Sequence, residues 1–103
     1  MIVVRSVFQA KFGQGGHLAA AAAEGMEALT RVFGKESPRW RILTDLSGPY
    51  DTVTMEAEVD SLKEWEETRA RMFEMPEFAD SMGAMYELVV TGRQEYLNIE
   101  AQG

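Results

Sequence analysis

The sequence predicts an α+β fold of the ferredoxin-like type, a βαββαβ sandwich with a four-stranded antiparallel sheet and two helices on one face. First, the stretch Thr52–Val59 alternates strictly between polar and apolar residues, as a strand with one buried face does. Second, Pro38–Val59 is typical of a hairpin that turns at Ser47–Pro49, with a helical segment on each side. Third, one further strand lies at each end of the chain, and right-handed crossovers leave few other arrangements for this order.

The first half of the chain supplies a strand and a helix. The strand is predicted at Ile2–Ala10, and Gly13–Gly16 ends it because glycine accommodates tight reversals. A helix is predicted from His17 to about Phe33, where alanines and apolar residues recur at spacings of three and four. Gly34 is the expected C-cap, and Pro38 cannot continue the helix.

The second half repeats this plan after the hairpin. Ser61 and Glu64 match a capping box and predict a helix start. Met75–Pro76 interrupts the helical period, because the residue before proline avoids the helical conformation. A resumed helix is expected to end at Thr91–Gly92, and the last strand is predicted at Arg93–Glu100.

Length and composition exclude several classes of function. The 103 residues predict a single domain spanning 1–103. Asp and Glu number 17 against 10 Lys and Arg, so the net charge of -7 opposes binding to nucleic acid or an anionic membrane surface. The absence of cysteine excludes thiolate metal sites and fits a reducing cytoplasm. No signal-peptide pattern and no apolar run of about 20 residues is present, so we expect a cytoplasmic protein without a membrane partner.

The strand alternation predicts two different faces of the sheet. The face beneath the helices is expected to be apolar and to comprise Val4, Phe8, Ile42, Leu46, Val53, Met55, Ala57, Leu97 and Ile99. The opposite face is mixed and comprises Val3, Arg5, Val7, Arg41, Leu43, Asp45, Thr52, Thr54, Glu56, Tyr96 and Asn98. So many apolar groups are not expected on a face exposed only to water, and such faces commonly pack on another sheet. We therefore expect a two-fold homodimer that encloses a mixed interior.

Charged residues on the uncovered face are the main candidates for a site. They are Arg5, Arg41, Asp45 and Glu56. Enclosed in a dimer they have to pair or stay hydrated, because an isolated buried charge is costly. They form either an ion-pair network or a polar pocket that orients a small organic ligand, with Tyr96 and Trp40 as walls.

His17 is the only histidine and completes the candidate set. At a helix start it is either a general base or haem contact, or a solvated or capping side chain. With no second histidine the sequence predicts no multi-histidine metal centre, and no cofactor is expected. The ligand-binding candidates are Arg5, His17, Arg41, Asp45, Glu56 and Tyr96.

Two further patterns have alternative interpretations. The turn Gly13–Gly16 lies between a strand and a helix, as phosphate-binding turns do, but it lacks the third fingerprint glycine and the Walker lysine, so a flexible turn is favoured. An aromatic and methionine stripe predicts core packing, with a flexible ligand pocket between helix and sheet as the alternative. The stripe comprises Trp65, Met72, Phe73, Phe78, Met82, Met85 and Tyr86.

The pattern also resembles a known superfamily over nearly the whole chain. The segments that carry the resemblance are IVVRSVFQAKFGQ, RILTDLSGPYDTVTMEAEV, SLKEWEETRARMFEMPEFADSM and GRQEYLNIE. They resemble the dimeric α/β-barrel superfamily and, within it, the small NIPSNAP-like proteins. The resemblance implies a dimer with a barrel-like interior and no agreed activity. Other branches include cofactor-free monooxygenases, haem-degrading enzymes, dye-type peroxidases and stress-induced barrels, so fold analogy selects no chemistry.

The sequence therefore leads to a main functional hypothesis and two alternatives. The main hypothesis is a NIPSNAP-like homodimeric barrel of unassigned activity that binds a small organic ligand in the interior between sheet and helices. The first alternative is a cofactor-free monooxygenase-type enzyme acting on a small aromatic or polyketide-like substrate. The second alternative is an assembly module with a filled interior.

Overall fold

The computed structural model describes all residues from 1 to 103 and confirms the α+β ferredoxin-like fold. The elements are β1 (Ile2–Ala10), α1 (Gly15–Phe33), a 3₁₀ turn (Gly34–Glu36), β2 (Arg39–Thr44), β3 (Thr52–Val59), α2 (Leu62–Met72), α3 (Pro76–Leu88) and β4 (Val89–Asn98). The four antiparallel strands form one sheet in the order β2-β3-β1-β4. None of the helices combines the length and apolar character needed to cross a membrane.

Local sequence signals set most of the helix ends. Ser61 caps α2, and its hydroxyl accepts a hydrogen bond from the Glu64 amide at 3.1 Å. The Glu64 carboxylate reaches back to the amide of Asp60, one residue before the cap, at 3.2 Å. The second helical segment is split into α2 and α3, and Pro76 begins α3 because its missing N–H is not needed there. Gly34 follows α1 with a φ of 57°, which glycine adopts without strain.

The boundary between α3 and β4 differs from the prediction. The helix was expected to continue to Thr91–Gly92, whereas α3 ends at Leu88 and β4 begins at once with Val89. Gly92 lies within the strand opposite Phe8 on β1. A Cβ at Gly92 would lie 2.8 Å from a ring carbon of Phe8, so the glycine marks a close approach of strand and aromatic ring.

The predicted faces are correct for β1 and β3 and wrong for β4. Tyr96 pairs with Val4 and therefore lies on the helix face of the sheet, whereas Leu97 pairs with Val3 on the open face. Since side chains alternate along a strand, a one-residue change in register exchanges the two faces. Leu46 was expected beneath the helices, but β2 ends at Thr44 and Leu46 is fully exposed.

The core lies between α1, the helix pair α2–α3 and the sheet. Its largest fully buried side chains are Leu18, Leu29 and Val53. α1 packs closely on α3, where the Ser81 hydroxyl donates a hydrogen bond to the main-chain oxygen of Ala21 at 2.6 Å. This contact orders the helix layer above the sheet.

β4 is the least covered strand. The helices make substantial contacts with β1, β2 and β3, whereas β4 packs mainly on β1. Val89 at its start packs into the core, but the later residues on its helix-facing side are exposed. Those exposed residues are Gly92, Gln94, Tyr96 and Asn98.

The close packing of α1 on α3 predicts opposite effects for two glycine substitutions. A Cβ at Gly25 would lie 2.6 Å from the hydroxyl oxygen of buried Ser81, while a Cβ at Gly83 would meet nothing within 4 Å. We expect Gly25→Ala to lower the free energy of unfolding by about 1–2 kcal/mol, because overpacking outweighs the gain in helix propensity. The matched control Gly83→Ala should raise it by about 0.5–1 kcal/mol. Urea denaturation at a fixed protein concentration measures both, and equal stabilisation by the two substitutions would contradict the packing.

Candidate functional site

A cavity of about 180 Å³ lies between the helix face of the sheet and the helices. Twelve of its 17 lining residues are hydrophobic, so it suits an apolar group, and it is partly open to solvent. Val4 and Met55 belong to its sheet side, and Met26 belongs to α1. The aromatic and methionine stripe of α2 and α3 supplies most of the opposite wall, through Trp65, Met72, Phe73, Phe78, Met82 and Met85.

The same stripe both packs the core and borders the cavity. Trp65, Met72 and Phe78 are buried core residues and also line the cavity. Phe73 is half exposed and packs edge-to-face on Phe78, with ring centroids 5.7 Å apart. Tyr86 does not line the cavity and is 70% exposed. The two interpretations of the stripe are therefore compatible.

One polar atom of a residue that lines the cavity has no partner in the chain. Trp65 is only 6% exposed, and its buried indole N–H makes no hydrogen bond to any other group of the protein. Leaving a buried donor unsatisfied costs about 1–3 kcal/mol, and most buried donors in proteins are paired. An acceptor on a ligand that reached this N–H would therefore be bound favourably.

A short chain of hydrogen bonds forms the polar part of the cavity floor. The Tyr96 hydroxyl donates to the side-chain oxygen of Gln94 at 2.9 Å, and the Gln94 amide donates to the hydroxyl of Ser6 at 3.1 Å. Ser6 and Gln94 both line the cavity. Since the Ser6 oxygen is used as an acceptor, its own O–H proton remains available to a ligand.

An ion-pair cluster occupies the open face of the sheet. The Glu56 carboxylate accepts hydrogen bonds at 2.7 Å from the Nε atoms of both Arg5 and Arg41. Glu56 is only 6% exposed, although no helix covers this face. Burial by itself raises the pKa of Glu56, but the hydrogen bonds and charges of Arg41 and Arg5 outweigh it and hold the pKa below its ordinary value of 4.5. Both carboxylate oxygens are engaged, which supports the ion-pair interpretation.

The other three predicted site residues lie elsewhere. The Asp45 carboxylate accepts a hydrogen bond from the Thr52 amide at 3.1 Å and closes the hairpin. His17 is exposed in the first turn of α1, with its Nδ1 2.8 Å from the side-chain oxygen of Gln14. Tyr96 faces the helices, which corrects its predicted place beside Arg5. The structure thus brings together Arg5, Arg41 and Glu56 and separates them from Asp45, His17 and Tyr96.

The glycine-rich turn before α1 is occupied by a carboxylate of the chain itself. The amides of Gly13 and Gly15 donate to the two carboxylate oxygens of Asp51, at 2.7 and 3.0 Å. Asp51 adopts a positive φ of 59° to make this contact. Amides in phosphate-binding turns donate to an anion in the same way, but here the anion is the carboxylate of Asp51. The contact joins the hairpin to the start of α1.

Comparison with known proteins places the fold. No family model matches the chain, and no curated protein matches its sequence. A NIPSNAP domain protein from Burkholderia xenovorans superposes with a TM-score of 0.81 at 17% identity, over 98% of this chain and 96% of that one. A NIPSNAP family protein from Agrobacterium tumefaciens gives a TM-score of 0.77 at 16% identity, over 94% and 90% of the two chains.

The chain has the NIPSNAP-like fold. The same fold extends to SnoaB, a cofactor-independent oxygenase from Streptomyces nogalater, with a TM-score of 0.71 at 13% identity over 98% of this chain and 94% of its own. Identities this low establish the fold alone. The NIPSNAP-like resemblance predicted from sequence is therefore confirmed at the level of the fold.

Several residues of the cavity in this NIPSNAP-like fold were not among the predicted site residues. Ser6 and Gln94 were missed, because their contact depends on the register of β1 and β4. Trp65 was placed in the stripe with core packing favoured over a ligand pocket, and its missing hydrogen-bond partner cannot be inferred from spacing. Arg69 gave a usable signal, since it follows Trp65 by four residues in an otherwise apolar helical stripe.

The ion-pair cluster predicts a pH-dependent loss of stability. We expect Glu56→Gln to lower the free energy of unfolding at pH 7 by about 1.5–3 kcal/mol, the usual range for hydrogen bonds to a charged group. Because the folded pKa lies below 4.5, the unfolded state binds more protons near that pH, and the contribution of Glu56 is complete above it. The difference between wild type and variant should shrink as the pH falls from 4.5 through the folded pKa.

Urea denaturation from pH 7 to pH 3 measures this difference. Glu58→Gln is the matched control, because Glu58 follows on the same face of β3 and forms no ion pair. Its effect should stay within about 0.5 kcal/mol. A wild-type advantage over Glu56→Gln that persists unchanged at pH 3 would refute the assignment.

Proposed function

We propose that the protein is a NIPSNAP-like homodimer that binds a small organic ligand in the cavity between the sheet and the helices. The observation that carries this proposal is a mainly apolar cavity lined by Trp65, a residue whose buried indole N–H has no partner in the chain. Binding sites combine a mostly apolar lining with a few polar groups that fix orientation. Trp65, Ser6 and Gln94 supply those groups here.

The size of the cavity limits the ligand. An engineered apolar cavity of about 150 Å³ in another protein binds benzene. The cavity of about 180 Å³ is therefore large enough for one six-membered ring with a small substituent. Five methionines line it, and their flexible, polarisable side chains adapt to ligand shape. They are Met26, Met55, Met72, Met82 and Met85.

The sheet supports the homodimeric part of the proposal. Its open face exposes Leu43 and Leu97 beside the ion-paired cluster of Glu56 with Arg5 and Arg41, so the face combines apolar side chains with paired charges. Val90 and Tyr96 on the bare edge strand are also exposed, at 64% and 49%. Sheets with such faces are stabilised by packing on a second sheet, and a second copy of the chain supplies one by two-fold symmetry.

The monooxygenase alternative is not favoured by the cavity. SnoaB shares the fold and is a cofactor-independent oxygenase. No imidazole lines this cavity. Glu56 is among the lining residues, but its carboxylate is bound to Arg5 and Arg41 on the other face of the sheet. The cavity therefore offers hydrogen-bond donors but no general base to take a proton from a substrate.

Ligand binding is tested by NMR of the methionine methyl groups with two probes. Toluene is the apolar probe, and acetophenone is a ring of similar size that carries a carbonyl oxygen as hydrogen-bond acceptor. Seven methionines are present, and five line the cavity. We expect both probes to shift those five signals and to leave the signals of Met1 and Met75 unchanged. Acetophenone should bind more tightly, because its carbonyl accepts from Trp65.

Trp65→Phe separates the hydrogen bond from the apolar cavity. The substitution should weaken the binding of acetophenone by about 3- to 10-fold, the range for one neutral hydrogen bond, and leave the affinity for toluene nearly unchanged. Trp40→Phe is the matched control, since the Trp40 indole already donates to Thr30 at 2.8 Å and does not line the cavity. If neither probe shifted a cavity methionine, the proposed function would be wrong.

The dimer is tested by sedimentation equilibrium at micromolar concentration. We expect the wild type to sediment as a dimer and Leu97→Lys to sediment as a monomer, because a lysine on the open face would place an unpaired charge in the interface. Tyr86→Lys is the control, since Tyr86 is a large side chain that is 70% exposed, against 36% for Leu97, and lies on α3 in the helix layer. A monomeric wild type would remove the dimer from the proposal.

A further inference from the structure

We infer that the ligand is a single-ring carboxylic acid whose carboxylate is bound by Arg69 at the mouth of the cavity. This inference rests on the proposed function and deepens it by naming the ligand class. It depends on the position of Arg69, on its lack of an anionic partner and on the absence of any other charged side chain facing the cavity. Each of these is a separate observation.

Arg69 lies at the boundary between cavity and solvent. It lines the cavity and is itself exposed. It follows Trp65 by one helical turn on α2, so the two side chains project from the same face of the helix. Its guanidinium lies 5.3 Å from the centroid of the Phe73 ring, which is half exposed at the same place. This stacking orients the guanidinium without using its hydrogen-bond donors.

No carboxylate of the chain pairs with Arg69. The ion pairs of the structure engage other arginines, namely Arg5, Arg41, Arg71 and Arg93. Arg71, two residues further along the same helix, pairs with Glu36 at 3.3 Å and stacks on Phe33. In a chain of net charge -7, Arg69 thus keeps all its donors free where the apolar cavity meets water.

The arrangement favours a carboxylate over other anions. A single guanidinium matches the two oxygens of a carboxylate in a bidentate contact. The anion-binding amides of the turn before α1 do not belong to the cavity lining, and Asp51 already occupies them. Trp65 precedes Arg69 by one turn of α2 and also lines the cavity, so its unpaired N–H is the nearest further donor along this helix face.

The volume and lining fix the rest of the ligand. The cavity of about 180 Å³ is lined mainly by hydrophobic residues and accommodates one ring. A ring that carries its carboxylate directly or on one carbon would place the anion at the mouth while its apolar part contacts the methionines. Glu56 adds no repulsion, since its charge is neutralised by Arg5 and Arg41 on the opposite face of the sheet.

Benzoate and its neutral isostere benzamide test the inference in the full-length protein at pH 7, by titration of the methionine methyl and Trp65 indole signals. We expect benzoate to bind at least about 10-fold more tightly than benzamide, because a charged hydrogen-bonded pair is stronger than a neutral one. Arg69→Gln should weaken the binding of benzoate by about 10- to 100-fold and change the affinity for benzamide little. Arg69→Lys should restore part of the affinity, since it keeps the charge but loses the bidentate contact.

Arg71→Gln is the matched control, because it removes an exposed arginine from the same turn without altering the cavity. It should leave both affinities unchanged. Equal binding of benzoate and benzamide, together with an inert Arg69→Gln substitution, would overturn the carboxylate inference and leave the proposed cavity function intact. The loss of all cavity shifts with either probe would overturn both. Unaltered melting temperatures for the Arg69 variants confirm that the affinity changes do not reflect unfolding.

Discussion

The helices are too few to cover the whole sheet. α1, α2 and α3 lie over β1, β2 and β3, and β4 remains bare beyond Val89 on the side that faces them. Where the helix layer ends, large side chains of α2 and α3 bridge to β1 and leave a cavity instead of a continuous core. The cavity, its opening to solvent and the exposed edge strand all result from this single mismatch. A second copy of the chain is the economical way to cover what remains.

Charge is distributed so that the two faces of the sheet differ in what they offer a ligand. On the open face Glu56 is saturated by Arg5 and Arg41, and a carboxylate held in this way is a structural element. On the helix face the polar groups are incompletely satisfied, because Trp65 has a free N–H and Arg69 has no anion. Unsatisfied groups at a concave apolar surface are the ones that the proposed ligand would satisfy, whereas satisfied groups stabilise the fold.

The sequence predicts the elements well because their signals are local. The alternation of Thr52–Val59, the cap at Ser61 and the break before Pro76 each depend on a few neighbouring residues. The face of Tyr96 depends instead on how β4 pairs with β1, and amphiphilic residues fit either register. In an edge strand without a clear hydrophobic period the sequence does not determine which residues face the helices. For this reason Tyr96, one of the predicted site residues, was predicted on the wrong face of the sheet.

The candidate site could be predicted only in part for a related reason. A cavity is a difference between shapes that pack imperfectly, and a missing hydrogen-bond partner is a property of the whole fold. The aromatic and methionine stripe raised a ligand pocket between helix and sheet as one alternative, and a cavity does lie there. Arg69, on the same helical period as Trp65 and Met72, was the available clue to a polar group beside it. The lone histidine and the charged open face drew attention because rare and charged residues are conspicuous in a sequence, not because they converge on a cavity.

A crystal structure of the protein soaked with a single-ring aromatic acid decides whether the cavity between sheet and helices binds a ligand. We expect electron density for the ring between β1 and the α2–α3 pair, with an acceptor atom about 3 Å from the Trp65 indole nitrogen. Side chains that fill the cavity completely, or a ligand bound only on the open face beside Glu56, would contradict it.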